Sequence, residues 1–169
     1  MSLYALDRLM AETRRLAAEY RRTTGKTLAV SGELAIFDAV RLLGLEAVTE
    51  EGLGFDAVRN GAEGPRRLQV KARVIFDEAR SGQRLGALRT DQPWDAVLLV
   101  LMNDAYEPVE IWEAERQPLL AAIEECSASA RAKRGPLSVA RFKHLGRLVW
   151  SAELCEGRLP ATLAGGGSV

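Results

Sequence analysis

The sequence predicts an α/β fold, a mixed sheet flanked by helices, and three observations carry that prediction. Apolar residues recur at helical spacing near the start of the chain, in Leu6, Leu9, Met10, Leu16, Ala17 and Tyr20. Short runs with strand character follow between residues 45 and 75, separated by Gly-containing turns. A nearly continuous stretch of Val and Leu, from Asp95 to Met102, suits a strand covered on both faces. The resulting order is helix, helix, three-strand meander, loop, two strands, helix. It lacks the strict strand–helix alternation of a doubly wound sheet. No GxGxxG or Walker motif prepares a nucleotide phosphate site.

The elements follow in order. Residues 4–23 read as an amphipathic helix, ended by Thr23-Thr24-Gly25. A second helix fits Gly32 to Leu43, with Ser31 as its N-cap and Gly44 at its end. Residues 45–49, Gly54 to Asn60 and Arg67 to Ile75 form the meander, with Asn60-Gly61 and Gly64-Pro65 marking its last turn. Residues 78–92 are polar and read as a loop with one helical turn. A strand around Val109 and Ile111 follows the Asn103-Asp104 turn. Helices are expected over Glu115 to Ser127 and Ser138 to His144, and a last strand over Arg147 to Trp150. Residues 1–160 are expected to form one domain and residues 161–169 a flexible, Gly-rich tail.

Composition narrows the function classes. Apolar residues make up 47% of the 169, enough for a core. The 23 basic and 23 acidic residues cancel, so overall basicity gives no argument for nucleic-acid binding. Cys126, Cys155 and His144 are too few and too scattered for a zinc site. No apolar run is long enough to span a bilayer, and the start has no signal-peptide pattern. The expectation is a cytoplasmic protein without a membrane partner.

The chemistry lies in two neighbouring segments, Gly54-Phe55-Asp56-Ala57-Val58 and Leu68-Gln69-Val70-Lys71-Ala72-Arg73. Strand alternation turns Leu68, Val70, Ala72 and Val74 to the core and Gln69, Lys71 and Arg73 to the opposite face. Closing the hairpin at its Gly-rich turn places Asp56 opposite about Val70, within a residue of slippage. A carboxylate, an amide oxygen and an ammonium are thereby gathered on adjacent strands. Phosphodiester hydrolysis calls for such groups: oxygen donors suit Mg²⁺, and a lysine can orient the attacking water and stabilise charge on phosphorus. Glu33, in the first turn of the second helix, offers a further carboxylate. Gly32, Gly52 and Gly54 leave room for a phosphate to approach.

A helix-borne Glu33, then Gly54-Phe55-Asp56-Ala57-Val58, then Gln69-Val70-Lys71 resembles the PD-(D/E)XK nuclease superfamily, in its QxK variant, similar to Mrr-like restriction endonucleases and uncharacterised bacterial relatives. The resemblance covers residues 31–75. It implies a restriction-endonuclease-like core of αβββ…β order and a Mg²⁺- or Mn²⁺-dependent endodeoxyribonuclease. Asp56, Gln69 and Glu33 would hold the metal with help from the Val70 carbonyl, and Lys71 would be the catalytic lysine. Two departures from the family pattern bear on the metal cage, the first by leaving it less negative charge. Gln69 stands where Glu is commoner, and Phe55 rather than proline precedes Asp56.

Two basic segments could track a phosphate backbone: Arg66, Arg67, Lys71, Arg73, Arg80, Arg84 and Arg89, then Arg131, Lys133, Arg134, Arg141, Lys143 and Arg147. Arg66, Arg67 and Arg73 are the nearest to the site in sequence. The acidic stretch from Asp104 to Glu125 is expected to face away from nucleic acid. Trp94, Trp112 and Trp150 are expected in the core. The expected partner is DNA, with a homodimer or a separate targeting protein supplying recognition. The competing expectation is a catalytically inactive nucleic-acid-binding or assembly module of the same fold.

Overall fold

A computed structural model describes residues 3–77, 79, 82–127 and 137–155. Two helices lead, α1 (Leu3–Thr24) and α2 (Ser31–Leu43). Then come β1 (Glu46–Ala47), β2 (Ala57–Arg59), β3 (Arg66–Val74), β4 (Ala96–Met102) and β5 (Pro108–Glu115). The helices α3 (Arg116–Ser127) and α4 (Val139–Leu145), the strand β6 (Arg147–Ser151) and a short α5 (Ala152–Cys155) complete it. The chain is an α/β protein with one six-stranded mixed sheet in sequential order, flanked by helices. All pairings are antiparallel except β3 with β4.

Each face of the sheet has its own core. Leu68, Val70, Ala72 and Val74 of β3 join Ala96, Leu98, Val100 and Met102 of β4 beneath α1 and α2. Val97, Leu99 and Leu101 face the other way, under Leu119 and Ala122 of α3, Phe142 of α4 and the loop residues Leu85 and Leu88. All seven residues of β4 are buried, which is why its sequence is apolar without alternation. The first core is locked by Arg14, whose buried guanidinium donates to the Asp38 carboxylate of α2 and to the Tyr106 carbonyl. Burial outweighs that pairing and raises the pKa of Asp38.

The structure departs from the sequence expectations in several places. Val30, not Ser31, is the N-cap of α2, and no side chain caps that end. The Val30 carbonyl accepts from the Leu34 N–H, so Ser31 is already inside the helix. Gly44 does end it, with φ of 63°, a left-handed conformation that glycine adopts without strain. The first two strands are shorter than expected because residues 48–56 are mostly turn and bend. Among the described residues of 78–92 no helical turn forms; the crossover between the parallel strands β3 and β4 is irregular. Trp94 is buried, whereas Trp112 and Trp150 are only partly so. Residues 161–169 and Arg80, Arg131, Lys133 and Arg134 lie outside the described residues. Among the described residues, no helix is long and apolar enough to cross a membrane.

Candidate active site at the open edge of β3

The short β2 creates the site. It pairs with β3 only from Arg66 to Leu68, so β3 beyond Leu68 has no strand on that side. Continuing the register past Ala57 and Leu68 brings Asp56 against Gln69, one position from the expected Val70. Asp56 then does the work of a missing strand residue. Its N–H donates to the Leu68 carbonyl at 2.8 Å, and its Oδ2 accepts from the Val70 N–H at 2.7 Å. One carboxylate oxygen is thus fixed, and Oδ1 has no hydrogen-bond partner among the described residues.

Gln69 is buried, although alternation turns it to the face opposite Leu68 and Val70. It is 3% exposed, and both ends of its amide are engaged. Nε2 donates to the Gly54 carbonyl at 3.3 Å, and Oε1 accepts from the Arg89 N–H at 3.4 Å. Gly54 has φ of 79°, and a Cβ there would meet the Gln92 side chain at 2.4 Å. Glycine alone therefore lets the strand leading to Asp56 press against the 89–94 loop.

Lys71 lies on the same side of β3 as Gln69, half-buried, with no ion pair or hydrogen bond among the described residues. Burial lowers its pKa below the usual lysine value; the Asp56 carboxylate pulls it back up, and Arg89 pushes it further down. Asp56, Lys71 and Arg89 therefore share one electrostatic neighbourhood. Arg73, farther along the strand, is exposed and unpaired among the described residues.

The remaining expected site residues are Glu33, Arg66 and Arg67. Glu33 is exposed in the first turn of α2, and no hydrogen bond or ion pair among the described residues ties it to Asp56, Gln69 or Lys71. Arg66 and Arg67 sit at the start of β3, about 13 Å or more from Lys71 at roughly 3.3 Å per residue. Both are already paired. Arg66 donates to both oxygens of Glu115 at 2.8 Å, and Arg67 meets Asp95 at 3.0 Å.

As a metal site the donor set is sparse. It offers Asp56 Oδ1 and a buried amide oxygen with one long hydrogen bond. Among the described residues no three His, Cys, Asp or Glu side chains gather into a cage. Such a set fits a hard cation that keeps much of its water and takes its other ligands from phosphate oxygens, as Mg²⁺ commonly does. It does not fit a cation enclosed by protein alone.

The acidic stretch on β5 and α3 neutralises much of the basic surface. Glu113, 1% exposed at its side chain, lies 2.8 Å from Arg59, 3.3 Å from Arg147 and 3.8 Å from Arg66. Glu110 holds Lys143 at 2.5 Å, and Glu125 meets Arg141 at 3.4 Å. Of the expected basic segments, Lys71, Arg73 and Arg89 stay without an ion pair among the described residues. A cavity of about 620 Å³ is bounded by the end of β4, β5 and α4, one of about 640 Å³ by Arg66, Arg67, Asp95 and Glu115, and one of about 350 Å³ by Leu28, Ser31, Ala72 and Arg73; none of these is lined by Asp56 or Lys71. Asp56 and Lys71 stand instead at a strand edge, which suits an extended substrate better than an enclosed small molecule.

Sequence reasoning missed the frame behind this edge. Arg116, at the start of α3, donates to the carbonyls of Thr90, Gln92 and Trp94 at 2.7, 2.6 and 2.9 Å. Its guanidinium also stacks 4.5 Å from the Trp94 ring. These partners are backbone oxygens, which leave no residue signature to search for. No family model matches the chain, and no curated protein matches it.

Proposed function

We propose that the chain is a metal-dependent nuclease that hydrolyses phosphodiester bonds, with DNA as its substrate, on a restriction-endonuclease-like core. One observation carries this reading: Lys71 and Arg89, neither with an ion pair among the described residues, share an electrostatic neighbourhood with Asp56 at the open edge of β3. The order of α2, β1, β2, β3 and then β4 supports the reading, since αβββ…β is the order that the resemblance implies. Asp56 would hold a Mg²⁺ or Mn²⁺ ion through Oδ1, with the Val70 carbonyl and phosphate oxygens beside it. The ion would supply a water of lowered pKa and neutralise phosphate charge. Lys71, in its charged form, would orient the attacking water and stabilise the charge that develops on phosphorus. Glu33, exposed in the first turn of α2, would add a further carboxylate, and Ser31 of that turn borders a cavity with Ala72 and Arg73 of β3.

The use of Gln69 as a bridge favours one second reading, a module of the same fold that binds nucleic acid without cutting it. Plasmid relaxation with Mg²⁺ or Mn²⁺ separates the two. Cleavage by the wild-type protein should fall by about 10²–10³-fold in Lys71→Ala, the range for loss of one stabilising donor, and comparably in Asp56→Ala. Intact DNA and RNA with the wild type, or equal cleavage by the variants, would refute the nuclease reading.

A further inference from the structure

Arg89 is held in an unusual way for an exposed residue. Its N–H donates to Gln69 Oε1 at 3.4 Å, and its carbonyl accepts from Trp94 Nε1 at 2.6 Å and from the Gln92 N–H at 3.2 Å. Trp94 is 1% exposed, and the neighbouring Leu88 is buried. Arg116 clamps the carbonyls on the following turn. The backbone is fixed from both sides while the guanidinium projects without an ion pair among the described residues. That contrasts with Arg66, Arg67, Arg141, Lys143 and Arg147, each of which has an acid.

The position of Arg89 makes this a site. Gln69, which its backbone touches, lies next to Lys71 on one face of β3. Lys71 and Arg89 bring two positive charges to a neighbourhood whose one assigned carboxylate is Asp56. Like charges in a half-buried place repel, and an arriving anion relieves that repulsion. A planar guanidinium suits a phosphate in particular, because its parallel N–H groups match two phosphate oxygens.

We propose that Arg89 grips a backbone phosphate of the nucleic acid beside Lys71, and that Gln69 is the positioning residue that presents it. The contact rests on the nuclease reading for its substrate class but does not require hydrolysis. Gln69 suits the role because a neutral amide can donate to Gly54 and accept from Arg89 at once. A carboxylate would set a second oxygen against the Gly54 carbonyl.

The test is binding of a fluorescein-labelled DNA duplex of mixed sequence, without divalent metal, followed by anisotropy from about 50 to 200 mM NaCl. Loss of one phosphate contact should flatten the slope of log affinity against log salt by about 0.9 in Arg89→Ala. Affinity at the low-salt end should fall about tenfold, the effect of one charged hydrogen bond, and thermal unfolding should stay unchanged. Arg89→Lys should keep the slope and lose affinity, since it keeps the charge but not the fork. Gln69→Ala should flatten the slope as Arg89→Ala does, and the double variant should flatten it no further. A wild-type slope and affinity in Arg89→Ala overturn the proposal. If that variant also cleaves like wild type while Lys71→Ala does not, the phosphate contact falls and the nuclease reading stands. If no metal supports cleavage but the Arg89 effect on the slope persists, hydrolysis falls and the contact stands. A wild-type protein that binds no DNA overturns both.

Discussion

At its start, β3 sets Arg66 against Glu115 and Glu113, and Arg67 against Asp95. Farther along, the same strand leaves Lys71 and Arg73, and Arg89 near Lys71, with no ion pair among the described residues. Both ends carry positive charge, yet only one has it to spare. At the paired end the guanidiniums join β3 to β5 and to the start of β4, so their charge is spent on the sheet. At the open end, burial and a like-charged neighbour make the Lys71 ammonium harder to keep, and Asp56 offsets only part of that. Electrostatics left unbalanced where β2 ends is a cost to folding, and a phosphate is the kind of ligand that removes it.

The contrast breaks first at Glu113. Its carboxylate is almost fully buried among Arg59, Arg66 and Arg147. Glu113→Ala should lower stability by about 2–3 kcal/mol in urea unfolding, somewhat below the 3–5 of a fully buried pair, because the guanidiniums keep access to water. The cleavage or binding remaining per folded molecule should match wild type. If activity fell while stability held, the paired end would belong to the site after all.

A smaller effect is expected at Gln69, where the two ends meet. Gln69→Glu removes the donor to the Gly54 carbonyl and places a carboxylate at a 3% exposed position. The cost should be about 1 kcal/mol, the low end for an unsatisfied buried group, because Lys71 and Arg89 offset part of it. Calorimetric Mg²⁺ titration beside urea unfolding tells a bridge from a ligand. As a bridge, the substitution weakens the fold. Were Gln69 chiefly a metal ligand, the added charge would tighten Mg²⁺ binding with the fold unharmed.

Much of this was legible in the sequence, for identifiable reasons. The Val and Leu run of β4 and the alternation of β3 report their burial directly, since side-chain period and face are coupled. Asp56 beside Gln69 and Lys71 followed from the hairpin register and needed only a one-residue shift. The division between paired and open ends was hidden. Arg66 and Lys71 look alike along the chain, because the acids that tell them apart, Glu113 and Glu115, lie on β5 and are set by tertiary packing. Gln69 read as an amide oxygen for a metal, and only the fold brings Gly54 and Arg89 to its two ends. Glu33 was placed by its residue type and helical position alone, which say nothing of the direction a helix turns toward a sheet.

The smallest expected effect lies in the pairing of Arg67 with Asp95. The Arg67 side chain is the main reason that the Asp95 carboxyl titrates below the usual aspartate range, and the Arg67 backbone N–H adds to it. A carboxylate depressed in the folded state stabilises the fold above its unfolded pKa of about 3.9 and loses that contribution as pH falls through the folded value. Asp95→Asn should therefore be less stable than wild type near neutral pH, with the gap closing as the solution is acidified below about pH 4. The gap should stay under about 1 kcal/mol, because the pair is partly exposed and screened. Urea midpoints of both proteins across that range measure it. A gap that closes with acid while DNA affinity stays at the wild-type level assigns Arg67 to the sheet. A constant gap with weakened DNA binding would instead return Arg67 to the nucleic-acid surface and erase the distinction between the two ends of β3.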